Sequence, residues 1–132
     1  DIVMVGNVPV PNITALYSAI KNIPSSVKSY NMLPYDGTLL VETGATDTTI
    51  NLGYGASGRL LTYQPMAFTK GGTTFDIVLT KIVNIKKVDS GIGRIIVDAQ
   101  GTNTIDGSLT NIISTQYASL TLQWDGTNWY II

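Results

Sequence analysis

Ser119-Leu-Thr-Leu-Gln-Trp-Asp-Gly-Thr-Asn-Trp-Tyr-Ile-Ile132 is the stretch of this chain that predicts structure most strongly. Asp-Gly between alternating apolar residues is the strongest short-range signal for a β-hairpin, because both turn positions need a positive φ angle. A two-residue turn at Asp125 and Gly126 would pair Trp124 with Thr127 and Leu122 with Trp129. One face of this hairpin is then expected to bury its apolar side chains, which are Leu120, Leu122, Trp124, Trp129 and Ile131.

Composition favours an all-β domain. The chain has 132 residues, of which 44% are hydrophobic and only 13% charged, with 13 glycines. That charged fraction is roughly half the value of an ordinary soluble domain. Turn-forming residues recur at intervals of roughly 8–12 residues, which is typical of a sandwich or barrel. We therefore predict a mainly antiparallel sandwich or prism-like knob over residues 36–132.

Residues 1–35 have a different pattern, which predicts an extended arm followed by one short α-helix over 12–22. Asn12 is a favourable N-cap, and apolar residues follow it at helical spacing. Pro24 would end the helix. The spacing is carried by Ile13, Leu16, Tyr17 and Ile20.

Missing residue types exclude several kinds of chemistry. The chain has no His and no Cys, so histidine catalysis, thiol nucleophiles and His/Cys metal sites are excluded. The net charge of −1 does not favour nucleic acid or an anionic membrane, because both attract basic proteins. No apolar run approaches the ~20 residues of a membrane helix. We expect no enzyme activity, no cofactor, no metal and no membrane insertion.

Two motifs have alternative interpretations. Residues 53–58 match the dinucleotide pattern G-x-G-x-x-G, but that site needs a helix to begin inside it. Residues 59–65 are too short and too β-prone for that helix, so a loop between strands is expected. Asp36, Asp106 and Asp125 each precede a glycine, which predicts turn positions.

Neighbouring residues in the sequence indicate the roles of the lysines and aromatic residues. Lys81, Lys86 and Lys87 are predicted on solvent-facing positions of a strand, where charge discourages edge pairing. Sugar rings stack on aromatic side chains, so tyrosines beside turns are candidate glycan contacts. Trp124 and Trp129 are expected in the core and, with Asp125 and Gly126, to be structural. The candidate ligand-binding residues are Tyr54, Tyr130, Asn128, Tyr117 and Arg59.

Three further motifs carry a resemblance to a known family. They are Val83-Asn-Ile-Lys-Lys-Val-Asp-Ser-Gly91, Gly101-Thr-Asn-Thr-Ile-Asp-Gly107 and Leu120-Thr-Leu-Gln-Trp-Asp-Gly-Thr-Asn-Trp-Tyr-Ile131. In this order they resemble the C-terminal knob or tip domains of bacteriophage tail-fibre, tailspike and appendage proteins. The resemblance covers about residues 38–132. The segment 62–79 looks like an insertion, and residues 1–35 lie outside the resemblance.

The resemblance implies a homotrimeric tip at the distal end of a fibre on the virion, extracellular when it functions. Its partners would be further copies of itself, the rest of the fibre, and a host-surface glycan or receptor. The alternative is a trimerisation module or intramolecular assembly chaperone, released in some relatives by self-cleavage. A hydrolase that uses two aspartates to cleave surface polysaccharide is a third functional hypothesis, after attachment and trimerisation, but no spacing of the aspartates supports it.

Overall fold

The computed structural model describes residues 3–5, 8–10, 19–33, 35–53, 66–77 and 80–132. Throughout these residues the regular structure is β-strand, which confirms the all-β prediction for the described part. The strands are β1 Val3–Val5, β2 Val8–Val10, β3 Ala19–Ile23, β4 Ser29–Asn31, β5 Asp36–Val41, β6 Thr48–Asn51, β7 Met66–Lys70, β8 Thr73–Ile77, β9 Ile82–Lys87, β10 Ile95–Asp98, β11 Thr110–Ile113, β12 Ser119–Trp124 and β13 Trp129–Ile131.

Two sheets make up most of the described structure. One has the order β13-β12-β9-β5-β3 and the other β11-β10-β6-β4. The chain alternates between them, so that β3 and β4, β5 and β6, and β9 and β10 form three successive turns of a coil. The hairpins β1-β2 and β7-β8 are separate two-stranded ladders. The β7-β8 hairpin lies in the chain between the second and third turns.

The prediction of mainly antiparallel pairing is confirmed only in part, because both main sheets are mixed. Strands that occupy the same position in successive turns run in the same direction, so β3-β5, β5-β9, β4-β6 and β6-β10 are parallel. Within the two main sheets, every antiparallel ladder involves β11, β12 or β13, which follow the coil. These three strands close the C-terminal end of the stack. The separate β1-β2 and β7-β8 hairpins are antiparallel as well.

The terminal hairpin exists, but its predicted register is wrong by two residues. Trp124 pairs with Trp129, and Leu122 pairs with Ile131. The turn has four residues because the Asp125 carboxylate accepts hydrogen bonds from the Thr127 and Asn128 backbone N–H groups, at 2.8 and 2.7 Å. Only Gly126 in this turn has a positive φ, of 103°. The Asp125 side chain thus stabilises the chain reversal through these hydrogen bonds, whereas a two-residue turn would need positive φ angles at both of its positions.

Side chains from both main sheets form one hydrophobic core. Trp124 and Trp129 lie in it with their ring centroids 5.4 Å apart and their planes tilted by 52°, so the prediction that they are core residues is confirmed. Leu120 is only partly buried, and Ile131 is 39% exposed. The core consists of Ile23, Met32, Leu39, Val41, Ile50, Leu52, Val83, Ile85, Ile95, Val97, Ala99, Ile105, Ile113, Leu122, Trp124 and Trp129.

The predicted helix over 12–22 is wrong for residues 19–22, which belong to β3. Residues 12–18 lie outside the described residues. β3 pairs with β5, and β4 pairs with β6, so these two strands are hydrogen-bonded into the main sheets. Pairing with β5 overrides the helical spacing, because a short amphipathic segment takes the structure its neighbours stabilise.

Asp36 ends the turn that starts at Leu33, and it is also the first residue of β5, where its side chain is buried. Its Oδ2 accepts hydrogen bonds from the Tyr30 hydroxyl at 2.5 Å and from the Leu33 backbone N–H at 2.8 Å. Lys21 Nζ lies 4.0 Å from Oδ1, too far for a hydrogen bond. Because Tyr30 is on β4 and Asp36 on β5, this contact joins the two main sheets.

Lys87 is fully buried, which contradicts its predicted solvent-facing position. Its ammonium donates to Asp89 Oδ1 at 2.8 Å and to the backbone oxygens of Asp89 and Gly91, at 2.9 and 2.8 Å. Burial alone would raise the pKa of Asp89. Hydrogen bonds from Lys87 and from the backbone N–H groups of Thr43 and Gly44 outweigh burial and hold that pKa well below its ordinary value. The network fastens the loop after β5 to the loop after β9.

Candidate functional site

Four polar side chains line up across the outer face of the four-stranded sheet. We call them the polar row; its members are Asn31 on β4, Asn51 on β6, Asp98 on β10 and Thr110 on β11. Strand register makes them direct neighbours, because Asn31 pairs with Asn51, Asn51 with Asp98, and Asp98 with Thr110. Adjacent strands are ~4.8 Å apart, so the row is about 14 Å long.

The coil explains why three of these residues lie side by side at equivalent positions in successive turns. Asn31, Asn51 and Asp98 are each the last residue of a parallel strand, between two apolar residues. Each following residue turns inward: the Met32 N–H donates to the Asn51 carbonyl and the Leu52 N–H to the Asp98 carbonyl, both at 2.9 Å. The same local arrangement therefore recurs in every turn and places one amide or carboxyl group on the outer face.

Hydrogen bonds between side chains orient the first half of the row. Asn51 Nδ2 donates to Asn31 Oδ1 at 3.0 Å and to Ser29 Oγ at 3.1 Å, both on β4. No donor in the described part of the chain is bonded to the side-chain oxygen of Asn51 or to Asp98 Oδ2. The Thr110 hydroxyl likewise has no partner among the described residues. The middle of the row therefore presents acceptors to solvent.

A tight turn fixes the carboxylate of Asp98. Its Oδ1 accepts a hydrogen bond from the Gln100 backbone N–H at 2.7 Å. Gln100 has a positive φ of 64°, and its side-chain amide lies where a Cβ atom at Gly53 would be. Gly53 has a positive φ of 42°, which favours glycine, and a larger residue there would also have to displace the Gln100 side chain.

An apolar strip lies beside the polar row on the same face. Ile96 and Ile112 pair with each other on β10 and β11, two residues along from Asp98 and Thr110. Ile112 is 49% exposed and Ile96 is half-buried. The two residues give this face an apolar surface next to a row of hydrogen-bonding groups.

Three of the candidate ligand residues from the sequence lie away from this face. Tyr130 is exposed on the outer face of the five-stranded sheet, paired with Gln123. Tyr117 is 63% exposed, has a positive φ of 66°, and its ring lies 5.8 Å from Lys86 Nζ. Gln123 pairs with Ile82, four residues before Lys86 on β9, so the two tyrosines are separated by about 13 Å of strand. The structure does not bring them together.

Asn128 has internal partners. Its Oδ1 accepts hydrogen bonds from the Thr104 backbone N–H at 3.0 Å and from the Thr104 hydroxyl at 3.2 Å. It joins the terminal turn to the loop that precedes β11. Tyr54 and Arg59 lie outside the described residues, so their assignment as ligand contacts stays a prediction.

The polar row was missed at the level of sequence because its members are far apart in the chain. A usable signal was present: Tyr30-Asn31-Met32, Ile50-Asn51-Leu52 and Val97-Asp98-Ala99 share the pattern apolar, Asn or Asp, apolar. Unequal spacing concealed it, since residues 53–81 separate the second copy from the strand pair that carries the third.

Comparison with known proteins found no matching family model, no matching curated protein and no matching solved structure. Within the described residues, no group of three or more acidic side chains could hold a metal ion. A search of the same residues for a helix long and apolar enough to span a membrane found none.

Proposed function

We propose that this chain is a non-enzymatic distal domain of a bacteriophage fibre or tail protein that attaches to host-surface glycan. The observation that supports it best is the polar row with its adjacent apolar strip. Amide and carboxylate groups hydrogen-bond sugar hydroxyls, and aliphatic side chains pack against the C–H face of a sugar ring. The resemblance in the second half of the sequence supports the same role.

The scaffold suits a rigid attachment surface. Each member of the polar row is on a strand, and sites built on strands hold their geometry better than sites on loops. The terminal strands β11, β12 and β13 close one end of the coil. A stack of strand pairs needs such a cap to avoid open-ended association, as expected of a distal module.

Binding of the intact chain to an array of bacterial surface polysaccharides and defined oligosaccharides tests this proposal. We expect retention on a subset of glycans, competed by the same glycan in solution. Absence of binding to every printed glycan and to intact bacterial surfaces would refute it. Asn22 is an exposed asparagine on β3 in the other sheet, and Asn22→Ala is a control that leaves the polar row intact.

A second candidate function, trimerisation of the parent fibre, rests on a separate observation. The outer face of the five-stranded sheet and the residues after it expose several large apolar side chains: Ile20 at 69%, Ile82 at 44%, Tyr130 at 46% and Ile132 at 62%. Burying them between three copies would remove apolar surface from water. Sedimentation equilibrium would then give three times the protomer mass, whereas a monomer at all concentrations would exclude this role.

A further inference from the structure

We infer that the polar row binds an uncharged polysaccharide lying across the four strands, and that Asp98 excludes sugars bearing carboxylate, sulfate or phosphate groups. This inference rests on the proposed attachment function and names the chemical class of its ligand. It follows from the balance of donors and acceptors, from charge, and from the shape of the face.

The first step concerns donors and acceptors. The Asn51 amide group donates its hydrogen bonds to β4, which leaves its side-chain oxygen as an acceptor. The neighbouring Asp98 side chain is a carboxylate, which can accept hydrogen bonds but cannot donate them. Two adjacent acceptors with no described donor between them are complementary to a ligand that donates hydrogen bonds. Hydroxyl groups of a neutral sugar do this, and each ring offers several of them.

The second step concerns charge. Asp98 is the only charged member of the polar row. The described cations near the loops at the other end of the β6 and β10 strands have partners of their own. Lys28 Nζ donates to the carbonyls of Thr43 and Thr46, and Arg94 forms an ion pair with Asp47 at 2.9 Å. An anionic sugar on the row would meet the Asp98 carboxylate without a compensating cation from the described residues, and like charges repel at this range.

The third step concerns shape. The row runs across the strands for about 14 Å, so an extended ligand can contact several strands at once. Ile96 and Ile112 follow it on one side, at the half of the row that holds Asp98 and Thr110. A ring whose hydroxyls reach Asp98 can therefore rest its C–H face on the isoleucines. That arrangement favours a chain of rings over a single sugar.

The test uses an array with two sets of probes: neutral hexose and N-acetylhexosamine oligosaccharides, and acidic oligosaccharides carrying uronic or sialic acid. The wild-type chain is expected to bind members of the neutral set only. Asn51→Ala and Thr110→Val should each weaken this binding about tenfold, whereas Asn22→Ala should leave it unchanged. Thr110→Val is a second probe in case Asn51→Ala fails to fold, because the Thr110 side chain has no described hydrogen bond to lose.

Asp98→Asn is the decisive variant for selectivity. Its new amide oxygen can still accept the Gln100 N–H, so the turn is expected to persist. Binding to the acidic set should appear in this variant. Preference of the wild type for acidic probes, or unaltered neutral binding by Asn51→Ala and Thr110→Val, would overturn the inference while leaving glycan attachment standing. A wild type that binds neither set overturns the inference, and it overturns glycan attachment as well if intact bacterial surfaces also fail to bind the chain.

Discussion

Replacing Trp129 tests the closure of the sheet by its terminal hairpin. The Trp129 side chain is fully buried and lies against Trp124, with 5.4 Å between ring centroids. Truncating a buried large aromatic costs about 3–5 kcal/mol through lost burial and the cavity left behind. The tilted aromatic pair adds about 0.5–1.5 kcal/mol. We expect Trp129→Ala to lower the free energy of unfolding by about 4–5 kcal/mol, a large part of the ~5–15 kcal/mol typical of a domain.

A matched variant separates the ring from its N–H group. Trp129 Nε1 is buried and has no hydrogen-bond partner among the described residues. An unsatisfied buried donor costs about 1–3 kcal/mol, and replacing Trp129 with Phe removes that cost. Because Phe is smaller than Trp, the variant also loses roughly the same amount of stabilisation from buried apolar surface. We therefore expect Trp129→Phe to change stability by less than about 2 kcal/mol.

Urea unfolding followed by far-ultraviolet circular dichroism measures both variants at one protein concentration, because any self-association makes stability concentration-dependent. A loss below about 1 kcal/mol for Trp129→Ala would show that the hairpin does not bury this ring. A loss clearly above about 2 kcal/mol for Trp129→Phe would show that the indole N–H is satisfied, contrary to the structure.

Three further predictions concern the loops. The pKa of Asp89 is lowered in the folded state, so its stabilisation is complete above the unfolded value of ~3.9 and is lost as pH falls toward the folded value. Asp89→Asn should thus destabilise the protein near neutral pH, with the difference from wild type narrowing below about pH 4 in acid titrations of stability. Gly93→Ala should cost about 1–3 kcal/mol in urea unfolding, because the added Cβ would overlap the Thr46 backbone carbonyl; an unchanged midpoint would contradict that contact. Asp125→Ala should cost about 1 kcal/mol by removing the acceptor of the turn, and Asp125→Asn should cost less; equal losses would show that the carboxamide cannot replace it.

Local signals in the sequence predicted the final hairpin and its buried face, but the helical spacing before Pro24 did not predict β3. Asp125-Gly126 marked the final hairpin, and the apolar alternation around it placed Trp124 and Trp129 in the core. The register was wrong by two residues because backbone propensity favoured a two-residue turn, whereas the Asp125 side chain stabilises a turn of four. The pattern of apolar residues does not distinguish these two registers.

Long-range arrangement was the part that the sequence concealed. β9 pairs in parallel with β5, more than forty residues earlier, and nothing in either strand identifies its partner. Lys87 was placed in solvent because lysine is rarely buried. Its partner Asp89 and the Gly91 carbonyl are close in sequence, but burial depends on the loop containing Thr43, which is distant.

The polar row could not be predicted because it has no distinctive local sequence signal and depends on long-range strand pairing. Each of its residues is an ordinary strand-end Asn, Asp or Thr, and only the parallel register of β4, β6 and β10 aligns them. The exposed tyrosines looked like better glycan contacts because aromatic side chains are recognisable one at a time. A row built from four separated strands has no such single-residue signal.

Mapping the ligand by nuclear magnetic resonance tests the central claim most directly. A neutral oligosaccharide selected on the array is titrated into the isotopically labelled chain, and backbone and side-chain amide shifts are followed. We predict that the largest changes fall on Asn31, Asn51, Asp98 and Thr110, with little change at Tyr117 and Tyr130. Changes centred on the two tyrosines, with the row unaffected, would contradict the account.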